Sequence, residues 1–227
     1  MSCPQSPPMA VNGRHQRPYR AAVVGLLLAA TGAVWNCGFH LVTSTAAVVL
    51  EEQTGIEFPD TLGKQHLVAV GVRTKFAALK VYAIGLYLDS TNKLWKKGHH
   101  PSAEELMKQA MGQASLRLVI TSSFVTQERL VEALMEAITP RMTSTEAAQR
   151  QHELEDFAAA FASGPPLKRG TVIDLSVAKN KVKVAIHGKQ YAEVASAELG
   201  SALLATYVDS NAVIPRFREA IFVNLGA

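Results

Sequence analysis

The sequence predicts an α+β fold in which α-helices cover one face of a large, mainly antiparallel β-sheet. Three observations lead there. Residues 67–75 (LVAVGVRTK) alternate with the period of a strand. Residues 79–88 (LKVYAIGLYL) are apolar on both alternating faces, as in a strand covered from both sides. The helical segments fall between and after the strands in blocks, with no regular βαβ alternation and no internal repeat.

Each element has its own signal. In the first strand Val68, Val70, Val72 and Thr74 point one way; Leu67, Ala69, Gly71, Arg73 and Lys75 point the other. The second strand is rich in β-branched and aromatic residues, and residues 115–122 (SLRLVITS) read as a third. Residues 171–177 (TVIDLSV) and 182–186 (VKVAI) flank the turn 178–181 (AKNK) and read as a hairpin. Ser102 and Glu105 form a capping box that opens a short helix to about Met111. Thr126 caps a helix to Ile138 with Leu130, Ala133, Leu134, Ala137 and Ile138 as its stripe. A longer helix opens at Thr143 and Glu146, carries Leu154, Phe157 and Phe161, and stops at Gly164-Pro165-Pro166. Ser196 caps a helix bearing Leu199, Leu203 and Tyr207, and Pro215 starts a last helix to Val223.

Composition narrows the function classes. With 227 residues, 48% hydrophobic and 19% charged, the chain is neither wholly disordered nor a collagen-like fibre nor a multi-span membrane protein. The net charge of +4 divides unevenly. Arg14, Arg17 and Arg20 face no acidic residue within residues 1–50, whereas residues 51–227 carry 20 Lys and Arg against 19 Asp and Glu. A folded part this close to neutral does not suit a nucleic-acid binder. Both cysteines, Cys3 and Cys37, also lie in residues 1–50. The remainder therefore has no disulfide, thiol nucleophile or Cys-ligated zinc.

Residues 21–35 form an uncharged apolar run behind the three arginines, the layout of a targeting leader, with small residues at 44–47 suited to cleavage. An acid-free, arginine-rich leader serves a plastid, a mitochondrion or the secretory pathway. The competing reading is a retained membrane anchor, since extending the run through residues 21–42 approaches the ~20 residues that span a bilayer. On either reading residues 1–50 are a leader or anchor, and the domain occupies residues 51–227.

Catalytic signatures are missing. There is no phosphate-binding Gly-rich loop with its Lys, no Gly-x-Ser-x-Gly, and no Gly-x-Gly-x-x-Gly between strand and helix. The seven histidines are scattered without ligand spacing, so no metal and no other cofactor is expected. Arg73 stands out on physical grounds. It lies on a strand of Val, Ala and Gly, where a guanidinium persists only by reaching water or an anionic partner. Tyr82 on the next strand offers a hydroxyl beside it, and Gly71 and Gly85 suggest close approach of another group. The alternative is Arg73 at a solvent-facing strand end and Tyr82 as a core aromatic.

Residues 54–62 (TGIEFPDTL), 71–75 (GVRTK) and above all 80–87 (KVYAIGLY) resemble the chalcone isomerase-like family. The likeness extends to residues 126–138 and 202–218 (ALLATYVDSNAVIPRFR). The family includes plant chalcone–flavanone isomerases and plastid fatty-acid-binding proteins. It implies an open-faced β-sandwich: a large antiparallel sheet, a layer of helices and a ligand cleft between them. By the same resemblance Arg73 steadies an anionic substrate or clamps a carboxylate. Tyr82 stands where true isomerases carry threonine, as in the fatty-acid-binding members. The Tyr, Lys and Asn that true isomerases present on one helix face correspond to Thr126, Arg129 and Ala133. A small hydroxyl of the later helix falls at Gly200 or Ser201.

These departures carry an energetic argument. Closing a chalcone requires preorganised donors at the developing enolate, and each donor lost typically costs ~10²–10³ in rate. With the tyrosine and asparagine positions filled by Thr126 and Ala133, an efficient isomerase is disfavoured. A carboxylate needs less: an arginine, a hydroxyl and an apolar slot. The expected function is non-catalytic binding of a fatty acid or similar apolar carboxylate by Arg73 and Tyr82, with Arg129, Thr126 and Ser201 around them. Ala77, Ala78, Ile84, Leu86, Leu130 and Leu134 would supply the walls. The alternatives are an intramolecular lyase acting on an enone or flavonoid-like ligand, and a ligandless, membrane-anchored interaction module.

Overall fold

The computed structural model describes residues 47–226 except 77, 97 and 144–146. The readings made for residues 1–46, for Ala77 and for the Glu146 cap lie outside the described residues. Those described belong to one compact unit, Phe39–Ala227.

Seven strands form one antiparallel sheet in sequence order: β3 (Thr61–Leu62), β4 (Gln65–Lys75), β5 (Leu79–Asp89), β6 (Ala114–Ile120), β7 (Val172–Ala178), β8 (Lys181–Ile186) and β9 (Lys189–Val194). A separate two-stranded hairpin, β1 (Val48–Glu51) and β2 (Ile56–Pro59), precedes them. The helices are α1 (Ala103–Ala110), α2 (Gln127–Ile138), α3 (Ala147–Ala162), α4 (Ala197–Val208) and α5 (Pro215–Leu225). The expected α+β class and the helix positions hold. So do three of the cap residues: Ser102, Thr126 and Ser196 each accept a backbone N–H three residues on.

The sheet is covered on both sides. Tyr82, Ile84, Leu86 and Leu88 of β5 join the helix-side core with Leu130 and Leu134 of α2 and Leu203 of α4. On the other face Phe58 of β2 is fully buried against Ala83 of β5 and Val119 of β6. Beside them a Cβ on Gly85 would come within 2.9 Å of Phe58, so this glycine exists to admit the ring. Gly71 does the same on the helix side, where a Cβ would lie 2.8 Å from Phe217 Cβ of α5. Both strand glycines serve packing.

Two register shifts between β4 and β5 break the regular alternation of that pair. Between Leu67 and Ala69 the strand β4 carries one extra residue, Val68, whose carbonyl accepts a hydrogen bond from Asn224 Nδ2 of α5 at 2.7 Å. Hence Leu67 packs on the hairpin side while Val68 joins the helix-side core, the reverse of the simple alternation. The second shift sits beside Arg73, which pairs with Tyr82 while Thr74 pairs with Lys80. The hairpin of β7 and β8 turns tightly at Lys179 and Asn180, with Lys179 at positive φ. The next turn, through His187 and Gly188, both at positive φ, starts β9, a half-exposed edge strand without an apolar alternation to announce it.

Candidate functional site

Arg73 and Tyr82 are Cα partners across β4 and β5, so their side chains leave the same, helix-covered face. They line one cavity of about 20 Å³ with Leu130, Ala133 and Leu134 of α2, Thr206 and Tyr207 of α4, and Val213. That volume is enough for a single water molecule. The register shift at Arg73 leaves Val81 unpaired with β4, and Thr121 N–H takes its carbonyl at 3.1 Å. Bulges of this kind re-aim side chains at functional edges.

Inside the cavity Arg73, Tyr82 and Tyr207 each have a hydrogen-bond partner. The Arg73 guanidinium donates to the Val213 carbonyl, fastening the loop between α4 and α5 onto β4. The hydroxyls of Tyr82 and Tyr207 share a hydrogen bond at 3.0 Å. Burial pushes the Tyr82 phenol above its ordinary range, against smaller lowering effects of Tyr207 and Arg73. Tyr207 is pushed well up by burial and then by Tyr82, with Arg73 again opposing. Both are neutral donors at physiological pH. A cation and two neutral hydroxyls on an apolar wall can receive one anionic oxygen pair.

The other expected site residues are placed elsewhere. Thr126 is exposed and its oxygen is used as the α2 N-cap, accepting from Arg129 N at 3.3 Å. Because α2 starts only at Gln127, Thr126 does not share the helix face that carries Ala133. Arg129 is exposed and its guanidinium donates to Phe124 O at 3.3 Å. Ser201 is exposed on α4 and borders a separate open recess of about 480 Å³ with Met111, Arg141 and Glu198. Arg141 in that recess is engaged by the Asp209 carboxylate at 2.7 and 3.1 Å and by the carbonyls of Ala137 and Asn211. Of the expected walls, Leu130 and Leu134 line the cavity, Ala78 is exposed, and Ile84 and Leu86 are buried in the sheet core.

Three participants were missed. Tyr207 was read only as part of an apolar helix stripe, although a buried tyrosine needs a partner for its hydroxyl, which was the available signal. Thr206, also lining the cavity, spends its hydroxyl on Ala202 O at 2.9 Å. The Val213 carbonyl has no sequence signal at all. Among the described residues, no group of three or more His, Cys, Asp or Glu is placed to hold a metal ion.

The profile of the chalcone isomerase-like family matches residues 50–222. The chain belongs to that family. The fold of this chalcone isomerase-like domain is similar to the crystal structure of a fatty-acid binding protein from Arabidopsis thaliana. That likeness has a TM-score of 0.66 and 24% identity, over 79% of this chain and 97% of the other. No curated protein matches. The seven-stranded antiparallel sheet under a layer of helices is the family's architecture, as the sequence resemblance implied. No helix among the described residues is long and apolar enough to cross a membrane.

Proposed function

We propose that this chalcone isomerase-like domain is a non-catalytic binder of a fatty acid or similar apolar carboxylate. The observation that carries the reading is the Arg73–Tyr82 pair, set side by side by strand register at a cavity walled by Leu130 and Leu134. Arg73 would form a charge-assisted bond to the carboxylate, exchanging the Val213 carbonyl for a stronger acceptor, while Tyr82 donates its hydroxyl. The structural neighbour named for fatty-acid binding supports the same choice. Isomerase chemistry is disfavoured by Ala133, which lines the cavity without a polar group, and by Thr126, which lies outside it.

Ligand pockets typically measure about 300–1,000 Å³. At about 20 Å³ the site is far smaller than that, so an acyl chain would need α2 to draw away from β5. A second reading rests on the same volume: a cleft filled by its own side chains, chiefly Tyr207, in a module that binds no small ligand.

Titration of the full chain with long-chain fatty acids separates the two. Saturable binding that Arg73→Ala weakens at least tenfold supports the carboxylate site. No saturable binding, or equal binding by Arg73→Ala, overturns it. The residues ahead of β1 (Val48–Glu51) are read as a targeting leader for a plastid, a mitochondrion or the secretory pathway, with a retained anchor through residues 21–42 as the rival outcome. The mature N-terminus, from mass spectrometry of the protein taken from its own cell, decides between them.

A further inference from the structure

Four connections leave the sheet at one end: the turn between β4 and β5, the loop from β6 to α2, the approach to β7, and the turn between β8 and β9. Two of them expose phenylalanines to an unusual degree. Phe76 is 90% exposed and Phe124 is 70% exposed. The first two connections are neighbours, because Thr121 Oγ1 donates to Lys80 O at 2.8 Å just before the loop carrying Phe124. Arg129 fastens that loop through the Phe124 carbonyl. Scattered surface apolar residues are ordinary, but two phenyl rings held out at one end of a domain are not.

Phe76 carries a second mark. Its φ is +52°, in the left-handed region that bulky side chains rarely occupy and that glycine or asparagine fills without strain. The chain accepts this conformation for a ring that buries against nothing in the domain. Strain held at a position with no packing benefit points to a function outside the fold.

The surrounding charge names the partner. Lys75, Lys80, Arg129, Lys168, Arg169 and Lys189 belong to these connections or their immediate flanks. No Asp or Glu occurs in residues 75–80, 121–126, 167–171 or 187–190. Glu52 of the β1–β2 hairpin and Glu128 of α2 stand at the fringe, the former one residue from the Gln53 carbonyl that Lys80 Nζ reaches. Aromatic side chains projecting through a rim of lysine and arginine match the interface of an anionic bilayer. There the rings sit at head-group depth and each cation gains from the negative surface potential.

We infer that this end of the sheet is a docking surface for anionic lipid membranes, with Phe76 and Phe124 inserted and the basic residues on the head groups. The surface adjoins the Arg73 cavity, since Lys75 and Val81 line both the cavity and the base of this end. Docking does not require a fatty acid in the cavity, so the inference stands apart from the carboxylate reading.

The test uses the full chain carrying single tryptophan replacements Phe76→Trp, Phe124→Trp and, as control, Val223→Trp. Val223 is 62% exposed on α5, one residue from Asn224, which bonds the opposite end of β4. Emission is read as the difference from wild type, on phosphatidylglycerol and on phosphatidylcholine vesicles, with brominated acyl chains as quencher. Any attachment through residues 21–42 would bring all three variants to the vesicle alike and insert none of the probes selectively. The expected result is a blue shift and quenching of the probes at 76 and 124 on phosphatidylglycerol, reversed by high salt, and no change at 223. Adding Lys168→Glu and Arg169→Glu should weaken the lipid titration at least tenfold, as roughly fivefold per positive charge removed predicts. Equal response of the three probes, or none at 76 and 124, overturns the inference. A shift of those two probes with protein concentration alone would instead assign the surface to a second copy of the chain and overturn it as well. Loss of fatty-acid binding in Arg73→Ala with docking unchanged would leave it standing.

Discussion

Tyr82 and Tyr207, 125 residues apart in sequence, are both buried and face each other with their hydroxyls 3.0 Å apart. Each is the partner the other needs, so removing one strands the other. Tyr207→Phe should cost about 1–3 kcal/mol, while the double variant Tyr82→Phe/Tyr207→Phe should recover most of it. A double-mutant cycle by urea unfolding gives the coupling; additive losses would show that the shared bond contributes nothing.

The same pair sets an alkaline limit. Burial raises both phenols above the ordinary value of 10.0, so the folded state holds protons that the unfolded chain releases. Stability is then unaffected below pH about 10 and falls as pH rises beyond it. Denaturant midpoints measured across the alkaline range, wild type against the double phenylalanine variant, report it. A midpoint as flat for wild type as for the variant above that pH would contradict the assignment.

Gly71 and Gly85 make a matched experiment on opposite faces of the sheet. Alanine at 71 would press on the Phe217 Cβ at 2.8 Å and alanine at 85 on the Phe58 ring at 2.9 Å. Each should destabilise by about 1–3 kcal/mol through overpacking. Trimming Phe217 to leucine in the Gly71→Ala background should not relieve the clash, because the contact is with Cβ. Trimming Phe58 in Gly85→Ala should relieve it, because there the contact is with the ring edge. Thermal melts of the four variants distinguish the two.

On the hairpin side Arg117 and Asp174 are cross-strand partners joined by two hydrogen bonds at 2.7 and 2.9 Å. Their side chains are 21% and 16% exposed, so neither charge is well solvated once alone. Arg117→Val or Asp174→Val singly should cost about 3 kcal/mol, and the double replacement much less, since two valines suit a cross-strand site. Chemical denaturation of the three variants checks this. A double variant as unstable as the worse single one would refute it.

Thr126 allows a cap role and a ligand role to be told apart. As the α2 N-cap, Thr126→Ala should lower stability by about 1 kcal/mol. Thr126→Ser, which keeps the oxygen, should not. Neither should change fatty-acid affinity, because the hydroxyl lies outside the Arg73 cavity. Calorimetry and ligand titration on both variants give the two readouts.

Much of this architecture is visible in the chain. Arg73 was legible because a guanidinium on a strand of Val, Ala and Gly must find an acceptor, and it does, at Val213. Caps at Ser102, Thr126 and Ser196 were legible because their signal is local. What failed is equally specific. The bulge at Val68 is silent in the sequence, since exchanging Leu67 and Val68 between faces swaps one apolar residue for another. Strand β9 (KQYAEV) was passed over because it is half exposed and polar at the edge of the sheet. Thr126 answered to two descriptions, and capping claimed its oxygen. Tyr207 escaped because its role is created by a partner more than a hundred residues away.

The site at Arg73 has an order of assembly built into it. Its floor, on β4 and β5, leaves the ribosome long before its roof: Tyr207, Val213 and Phe217 all come from the last two helices and the loop joining them. A nascent chain halted at residue 196 would carry every strand of the sheet yet leave Arg73 without its carbonyl, Tyr82 without its hydroxyl partner and Gly71 uncovered. Until residues 197–225 are made, the floor of the site lacks the cover of α4 and α5, and α2 alone stands over it.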